Sequence, residues 1–146
     1  MHVAEAVGRT LARLGVDHVF GVVGSGNFHV TNALVRHGAR FVATRHEGGA
    51  ATAADAYARI SRRVGVVTVH QGCGLTNAMT GITEAAKSRT SLIVLAAEPA
   101  GSAVRSNFRV DQDALAHAVG AVLITAPLPI VGGSGSPTRV LALVER

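Results

Sequence analysis

One acidic residue, Glu47, lies where a carboxylate could exchange a proton with a bound ligand. It follows the β-like run 40–44 and precedes an alanine-rich stretch, residues 50–59, that has a strong helical preference. A carboxylate is favoured at a helix start by the helix dipole, so an ordinary helix-start acid is one interpretation. The side chains expected around it are apolar: Val42, Ala43, Ala50, Ala51 and Ala54. Burial among such groups favours the protonated carboxyl, and the second interpretation is therefore an acid that exchanges a proton with a ring nitrogen.

The elements that must position Glu47 are indicated by hydrophobic spacing along the chain. Apolar residues recur at helical intervals in several segments, whereas valine-rich runs such as 64–69 are typical of strands buried on both faces. Predicted strands cover residues 17–23, 40–44, 64–69 and 91–97, and predicted helices cover 3–14, 27–37, 50–59, 75–87 and 113–119. Strands that alternate with helices imply parallel crossovers. We therefore expect an α/β fold, a single domain in which a doubly wound parallel sheet carries helices on both faces as a three-layer sandwich.

Three polar or glycine-rich loops, residues 24–26, 46–48 and 70–74, follow predicted strands. In sheets of this kind ligands bind beyond the carboxyl ends of the strands. We expect the three loops to converge on one site that contains Glu47.

The end of the chain has a different character from the rest. Residues 1–125 are expected to form the domain, and residues 126–146 an irregular tail. Prolines and the glycine-rich run 132–137 interrupt any regular element there. Residues 140–144 could form a final strand.

Composition argues against several classes of function. The chain has 146 residues, 48% of them hydrophobic, and a net charge of +5, but its basic residues are scattered and only 3% of residues are aromatic. Nucleic-acid binding is not expected, because it needs a concentrated basic surface or aromatic stacking platforms. A single cysteine, Cys73, excludes an internal disulfide and favours a reducing compartment. Because there is neither a leader peptide nor an apolar run of about 18 residues, no membrane association is expected and the cytoplasm is the predicted location.

Three motifs occur in order along the chain. They are Val19-Phe20-Gly21-Val22-Val23-Gly24-Ser25, then Arg45-His46-Glu47-Gly48-Gly49-Ala50-Ala51, then Gly72-Cys73-Gly74-Leu75-Thr76-Asn77-Ala78-Met79-Thr80-Gly81. Together they resemble the pyrimidine-binding domain of thiamine diphosphate enzymes of the acetolactate synthase and benzoylformate decarboxylase group. The resemblance extends from about residue 3 to residue 120.

The resemblance implies a chemical role for Glu47. In this family the matching residue hydrogen-bonds N1′ of the aminopyrimidine ring of thiamine diphosphate and promotes removal of the thiazolium C2 proton. The activated cofactor then attacks a 2-oxo acid, which loses carbon dioxide. The resemblance thus implies a decarboxylase or a carboligase like acetolactate synthase, in which the cofactor supplies the electron sink and the protein supplies position and proton control.

Two further positions match catalytic residues of the decarboxylases. His70 matches a histidine that transfers protons, and Ser25 matches a serine that contacts substrate; histidine titrates near neutral pH, as proton transfer requires. The alternative for His70 is a histidine at a strand end whose ring is satisfied by backbone. The alternative for Ser25 is a cap on the next helix.

The resemblance also implies a lining for the cofactor. The matching positions are Val23, Gly24, Glu47, Gly72, Cys73, Asn77 and Gln112. Val23 and Cys73 stand where proline is common in the family, and a small thiol can pack in place of that ring. The alternative for Asn77 is an amide that fixes its own loop, and the alternative for Gln112 is a solvated helix start.

The family holds Mg²⁺ and the diphosphate with a separate domain that carries a Gly-Asp-Gly segment, and no segment of this chain matches it. The nine acids are spread along the chain and form no cluster of the kind that binds Mg²⁺, so no metal site is expected. We therefore expect a homo- or hetero-oligomeric partner that supplies the diphosphate-binding domain. The alternative is a truncated, non-catalytic remnant or assembly subunit.

A Rossmann-type nucleotide-binding module is a weaker alternative. Gly24-Ser25-Gly26 follows a predicted strand, and Glu47 comes some way after it, as the acidic residue does in that fold. The third glycine position, however, is occupied by His29, whose bulk would obstruct close packing of the helix.

Overall fold

The computed structural model describes residues 3–125 and 138–142. In chain order the elements are α1 (Val3–Arg13), β1 (His18–Gly21), α2 (Phe28–Arg36), β2 (Arg40–Ala43), α3 (Glu47–Ser61), β3 (Gly65–Val69), α4 (Cys73–Lys87), β4 (Leu92–Ala97), α5 (Gln112–Ala118), β5 (Val122–Thr125) and β6 (Thr138–Ala142). None of the helices within these residues has the length and apolar character needed to cross a membrane.

The described strands form one sheet in the order β2-β1-β3-β4-β6-β5. The first four of these strands are mutually parallel, with β1 between β2 and β3. The first strand, β1, has β2 on one side and β3 and β4 on the other. This change of direction places a topological switch point beside the carboxyl end of β1. The predicted α/β fold with a doubly wound parallel sheet is confirmed.

Helices cover the parallel strands on both faces. On β3, which is buried throughout, Val66 belongs to the core beneath α1 and α2, whereas Val67 and Val69 belong to the core beneath α3 and α4. The same alternation continues on β4, where Leu95 faces the first core and Val94 the second. Alternate side chains of a strand point to opposite faces, so this division gives the three layers that the sequence predicted.

Helix α3, which begins with Glu47, lies unusually close to α4. A Cβ atom added at Gly81 of α4 would lie 2.6 Å from the Cβ of Ala51 and 2.7 Å from the backbone nitrogen of Thr52. Only glycine at position 81 permits this approach. Ala51 and Gly81 thus allow close packing between the two helices that border the candidate site.

The far end of α3 is tied to the start of β1 by polar contacts. The Tyr57 hydroxyl donates a 2.6 Å hydrogen bond to Asp17 Oδ1, and the Arg63 guanidinium pairs with the same carboxylate. The hydrogen bond from Tyr57 holds the pKa of Asp17 below its ordinary value. On the other side of α3, Arg59 pairs with Asp55 and Glu84, and the contact with Glu84 joins α3 to α4.

The structure differs from the prediction mainly near the end of the chain. Strand β5 was not predicted, and β6 runs over residues 138–142 rather than 140–144 and pairs antiparallel with both β4 and β5. Strands β5 and β6 therefore extend the sheet beyond its four parallel strands. The rest of the predicted tail, residues 126–137 and 143–146, lies outside the described residues.

Candidate active site

Glu47 is the first residue of α3, and its position follows from the end of β2. The Thr44 amide donates to Gly21 O at 3.0 Å, and the Thr44 hydroxyl donates to His46 O at 3.0 Å. His46 is the N-cap of α3, with extended backbone angles, and its Nδ1 accepts a 3.0 Å hydrogen bond from the Gly48 amide. These contacts fix the turn between strand and helix, so the backbone of Glu47 is set at the carboxyl end of the sheet.

The Glu47 side chain is half-buried and has a polar partner that the sequence did not predict. Asn77 Nδ2, on α4, donates a 3.0 Å hydrogen bond to Glu47 Oε2. The other oxygen, Oε1, faces Gly74, where an added Cβ would lie 3.5 Å from it. Oε1 accepts no hydrogen bond from the described residues. One oxygen of the carboxylate is therefore held and the other is available to a ligand.

Asn77 does not fix its own loop, which was the alternative interpretation of this residue. Its side chain reaches from α4 to α3 instead. Gly48 lies between them, since a Cβ added there would be 3.1 Å from Asn77 O and 3.1 Å from His46 Nδ1. The Glu47–Asn77 hydrogen bond therefore depends on the same close approach of α3 and α4 that Gly81 permits.

The loop before α4 requires glycine at one position and packs a second glycine tightly. Gly72, the N-cap of α4, has φ +60°, and a Cβ there would lie 2.4 Å from Phe108 O. Gly74 is less restricted, because its added Cβ would lie 3.1 Å from the Cβ of His70. Cys73, between them, begins α4 and is exposed.

His70, immediately after β3, is held by the loop that follows β1. Its Nδ1 accepts a 3.2 Å hydrogen bond from the Gly26 amide, and Phe108 packs edge-on against its ring with centroids 5.1 Å apart. A Cβ added at Gly24 would lie 2.8 Å from the ring. The contact with Gly26 agrees in part with the alternative interpretation, a ring satisfied by backbone. Because Nδ1 accepts, neutral His70 carries its proton on Nε2, which has no partner among the described residues.

Asn27 organises the same loop and was missed by the sequence-based prediction. It is 1% exposed. Its Oδ1 accepts from the Gly24 amide at 2.7 Å, and its Nδ2 donates to Val22 O at 3.0 Å and to Thr68 Oγ1 at 3.2 Å. A local signal was present, because an asparagine after a glycine-rich turn commonly bonds nearby backbone. Asn27 rather than Ser25 is also the N-cap residue of α2, and it makes no side-chain cap bond.

Gln112 is the first residue of α5 and is 2% exposed, so the interpretation of a solvated helix start does not describe it. Its Nε2 donates to Ala97 O at 2.8 Å, at the end of β4. Its Oε1 is buried without a hydrogen-bond partner in the described part of the chain. Ala97 in turn lies beside Gly26, whose added Cβ would be 2.8 Å from the Cβ of Ala97.

The structure thus brings together part of the predicted site. Glu47 is in contact with Asn77, and His70 lies against Gly24. Gly74, which was not among the predicted site residues, lies between Glu47 and His70. Three of the predicted site residues are exposed: Val23, Ser25 and Cys73. None of them forms a hydrogen bond or ion pair with Glu47. Phe108, which packs on both His70 and Gly72, was not predicted to belong to the site.

No three histidine, cysteine, aspartate or glutamate side chains converge on a possible metal position within residues 3–125 and 138–142. The arrangement consists instead of one half-available carboxylate, one histidine held as a single tautomer, and closely packed glycine turns beside them. Such a set of groups can orient a flat polar ring and exchange a proton with it.

The sequence was compared with known proteins. The family model described as "Thiamine pyrophosphate enzyme, N-terminal TPP binding domain" matches residues 1–122. A probable 2-ketoarginine decarboxylase of Pseudomonas aeruginosa is 43% identical over 91 residues, which are 62% of this chain and 16% of the relative. An acetolactate synthase large subunit of Buchnera aphidicola subsp. Schizaphis graminum is 37% identical over 102 residues, 69% of this chain and 18% of the relative.

A third relative, 2-hydroxyacyl-CoA lyase 2 of Danio rerio, is 40% identical over 94 residues, 64% of this chain and 15% of the relative. The chain thus spans less than a fifth of the length of these relatives. The family match covers α1 to α5 and so includes every residue of the candidate site. This chain belongs to the family of N-terminal thiamine pyrophosphate-binding domains of thiamine pyrophosphate enzymes.

Proposed function

We propose that the chain supplies the pyrimidine half of a thiamine diphosphate site in a 2-oxo acid decarboxylase or a carboligase of the acetolactate synthase type. The observation that carries this proposal is the Glu47 carboxylate, with Oε2 held by Asn77 and Oε1 available beside Gly74. An aminopyrimidine ring needs a carboxyl group at N1′. The half-available Glu47 carboxylate fits this requirement.

The residues proposed to hold the ring are Val23, Gly24, Glu47, Gly72, Cys73, Asn77 and Gln112. When bound, the cofactor supplies the electron sink for loss of carbon dioxide from a 2-oxo acid. Glu47 holds or releases a proton at its free oxygen, and Asn77 keeps that carboxylate from rotating away. Fixing the group in place is itself catalytic, because it removes the entropy cost of orienting the acid during each turnover.

His70 is proposed as the proton donor at the substrate end of the site. The Gly26 amide occupies Nδ1, so the ring offers the Nε2 proton. Phe108 and Gly24 restrict the ring from the sides. Ser25, at the exposed tip of the same loop, is proposed to contact the substrate.

The names of two relatives motivate a test of His70. One is named a probable 2-ketoarginine decarboxylase and the other an acetolactate synthase large subunit. In a reconstituted complex, His70→Ala should reduce decarboxylation by about 10²–10⁴-fold if His70 is the proton donor. Steady-state release of carbon dioxide from a 2-oxo acid measures this. His117→Ala, at an exposed histidine of α5, is the matched control, and an equal loss in both variants would contradict the role. An unchanged rate in His70→Ala would favour the synthase-like reaction.

The chain is proposed to need a partner for cofactor binding. The part described here offers no cluster of acidic oxygen ligands for Mg²⁺, and the diphosphate group carries most of the charge of the cofactor. We propose that a diphosphate-binding domain, in a homo- or hetero-oligomer, supplies that half of the site. The lone Cys73 is compatible with a cytoplasmic location, which we propose on that ground.

Calorimetric titration of the 146-residue chain with thiamine diphosphate and Mg²⁺ tests this requirement. We expect no tight binding by the chain alone, and saturable binding once a diphosphate-binding domain is added. Tight binding by the chain alone would show that the half-site proposal is wrong. Binding that remains absent in the reconstituted complex would favour the second candidate function, a non-catalytic assembly subunit.

A further inference from the structure

The cap of α3 is a histidine, although helix N-caps are usually serine, threonine, aspartate or asparagine. His46 has φ −155° and ψ 141°, and its Nδ1 accepts the 3.0 Å hydrogen bond from the Gly48 amide. The next residue is Glu47. We infer that His46 is a positioning residue for Glu47, and that only its neutral form holds the first turn of α3 in the arrangement that presents the carboxylate. This inference rests on the proposed role of Glu47.

The cap depends on the protonation state of the His46 ring. A nitrogen that accepts a hydrogen bond carries no proton, so neutral His46 must be the tautomer with hydrogen on Nε2. A protonated ring has two donors and no acceptor, and it therefore cannot cap Gly48. Its positive charge also opposes the positive end of the helix dipole. Protonation of the ring is therefore expected to release the cap.

The cap is connected to the Glu47 carboxylate through Gly48. An added Cβ at Gly48 would lie 3.1 Å from His46 Nδ1 and 3.1 Å from Asn77 O, so the capped turn packs directly against Asn77. The Asn77 side chain holds Glu47 Oε2. A shift of the first turn of α3 therefore changes both ends of the Glu47–Asn77 hydrogen bond.

The turn that His46 caps carries few charged residues. Its own segment contributes Arg45 and Glu47, and α4 contains no charged residue from Cys73 to Thr83. His46 forms no ion pair with any described residue. A proton added to His46 would thus be a charge without an ion-pair partner in the described part of the chain.

Two substitutions at His46 test whether its side-chain acceptor caps α3. His46→Asn keeps a side-chain acceptor at the N-cap but cannot be protonated, whereas His46→Ala removes the acceptor. In the 146-residue chain, NMR should show His46 as the tautomer with hydrogen on Nε2 at pH 7.5. We expect amide exchange at Gly48 to be faster by about fivefold in His46→Ala, and to be close to wild type in His46→Asn.

The Asn77 side-chain amide and the Glu47 carboxyl carbon report whether the cap positions the acid. At pH 7.5 both signals should be shifted from their wild-type positions in His46→Ala and should match wild type in His46→Asn. Circular dichroism checks that each variant remains folded. The opposite tautomer in wild type, or Asn77 and Glu47 signals in a folded His46→Ala chain that match wild type, would overturn the inference.

The reconstituted complex then distinguishes this inference from the proposed function. If both hold, exchange of the C2 proton should be slower in His46→Ala than in wild type and close to the wild-type rate in His46→Asn. If Glu47 has no role in exchange, Glu47→Gln leaves the rate unchanged while the NMR signals still follow the cap. That result would contradict the proposed function and leave the structural coupling between His46 and Glu47 standing.

Discussion

Glu47→Gln is expected to slow exchange of the thiamine diphosphate C2 proton by about 10²–10⁴-fold in a complex with a diphosphate-binding domain. Glutamine retains an oxygen that can accept from Asn77 Nδ2, so the contact between α3 and α4 should survive. Its amide cannot take up and release a proton as the carboxyl does. The loss should therefore fall on proton transfer, and unfolding in urea should change little. Hydrogen–deuterium exchange at C2, followed by NMR, measures the effect.

The matched control is the same chemical change at Glu84, an exposed acid of α4 that lies about 10 Å further along the helix than Asn77. Glu84→Gln should exchange at the wild-type rate. Should Glu47→Gln also exchange at that rate while remaining bound to the cofactor, Glu47 would be removed from the mechanism. Cofactor affinity must be measured in parallel, because a rate lost through weak binding would imitate a catalytic effect.

Gly81→Ala is expected to destabilise the domain and to disturb the Glu47–Asn77 pair at the same time. The new methyl group would lie 2.6 Å from Ala51 Cβ and 2.7 Å from Thr52 N, and a backbone atom cannot move aside as a flexible side chain can. Overpacking of this kind costs about 1–3 kcal/mol, which exceeds the roughly 0.5–1 kcal/mol that a helix gains from alanine in place of glycine. Urea unfolding should show a lower free energy of unfolding.

Gly49→Ala provides the control for this prediction. Gly49 is also a helical glycine, in α3, but an added Cβ there meets nothing within 4 Å. Only the gain in helix propensity remains, so the free energy of unfolding should rise by about 0.5–1 kcal/mol or less. Changes of opposite sign in the two variants would support steric contact as the cause. If Gly81→Ala were as stable as Gly49→Ala, the close approach of α3 and α4 would be wrong.

The two predictions concern one physical arrangement. Glu47 and Asn77 lie on different helices, and the hydrogen bond between them exists only if α3 and α4 approach closely at Gly81. The carboxylate is therefore positioned by packing as well as by its cap. A variant that separates the helices should weaken the half-site even though it leaves every polar group in place.

The sequence by itself determined the parallel α/β layers and the loops that border the site. Valine-rich strands and amphipathic helices carry their periodicities locally, so β3 and the helices around it were predictable. The ends of parallel strands lie along one edge of the sheet, and this rule alone placed Glu47 near the glycine turns. Strand β5, Val122–Thr125, escaped prediction although β1 and β2 are equally short; it joins the sheet only by antiparallel pairing with β6, which no local pattern indicates.

Only the tertiary structure decided how the side chains of the site meet. The Glu47–Asn77 bond joins residues 30 apart in the sequence, and the Gly26–His70 bond joins residues 44 apart. Phe108 reaches the same place from a loop after β4. Hydrophobic periodicity and capping rules describe neighbours a few residues apart, whereas these contacts depend on how far the helices and loops approach one another. That distance is set by steric packing at residues such as Gly72 and Gly81, which no local pattern reveals.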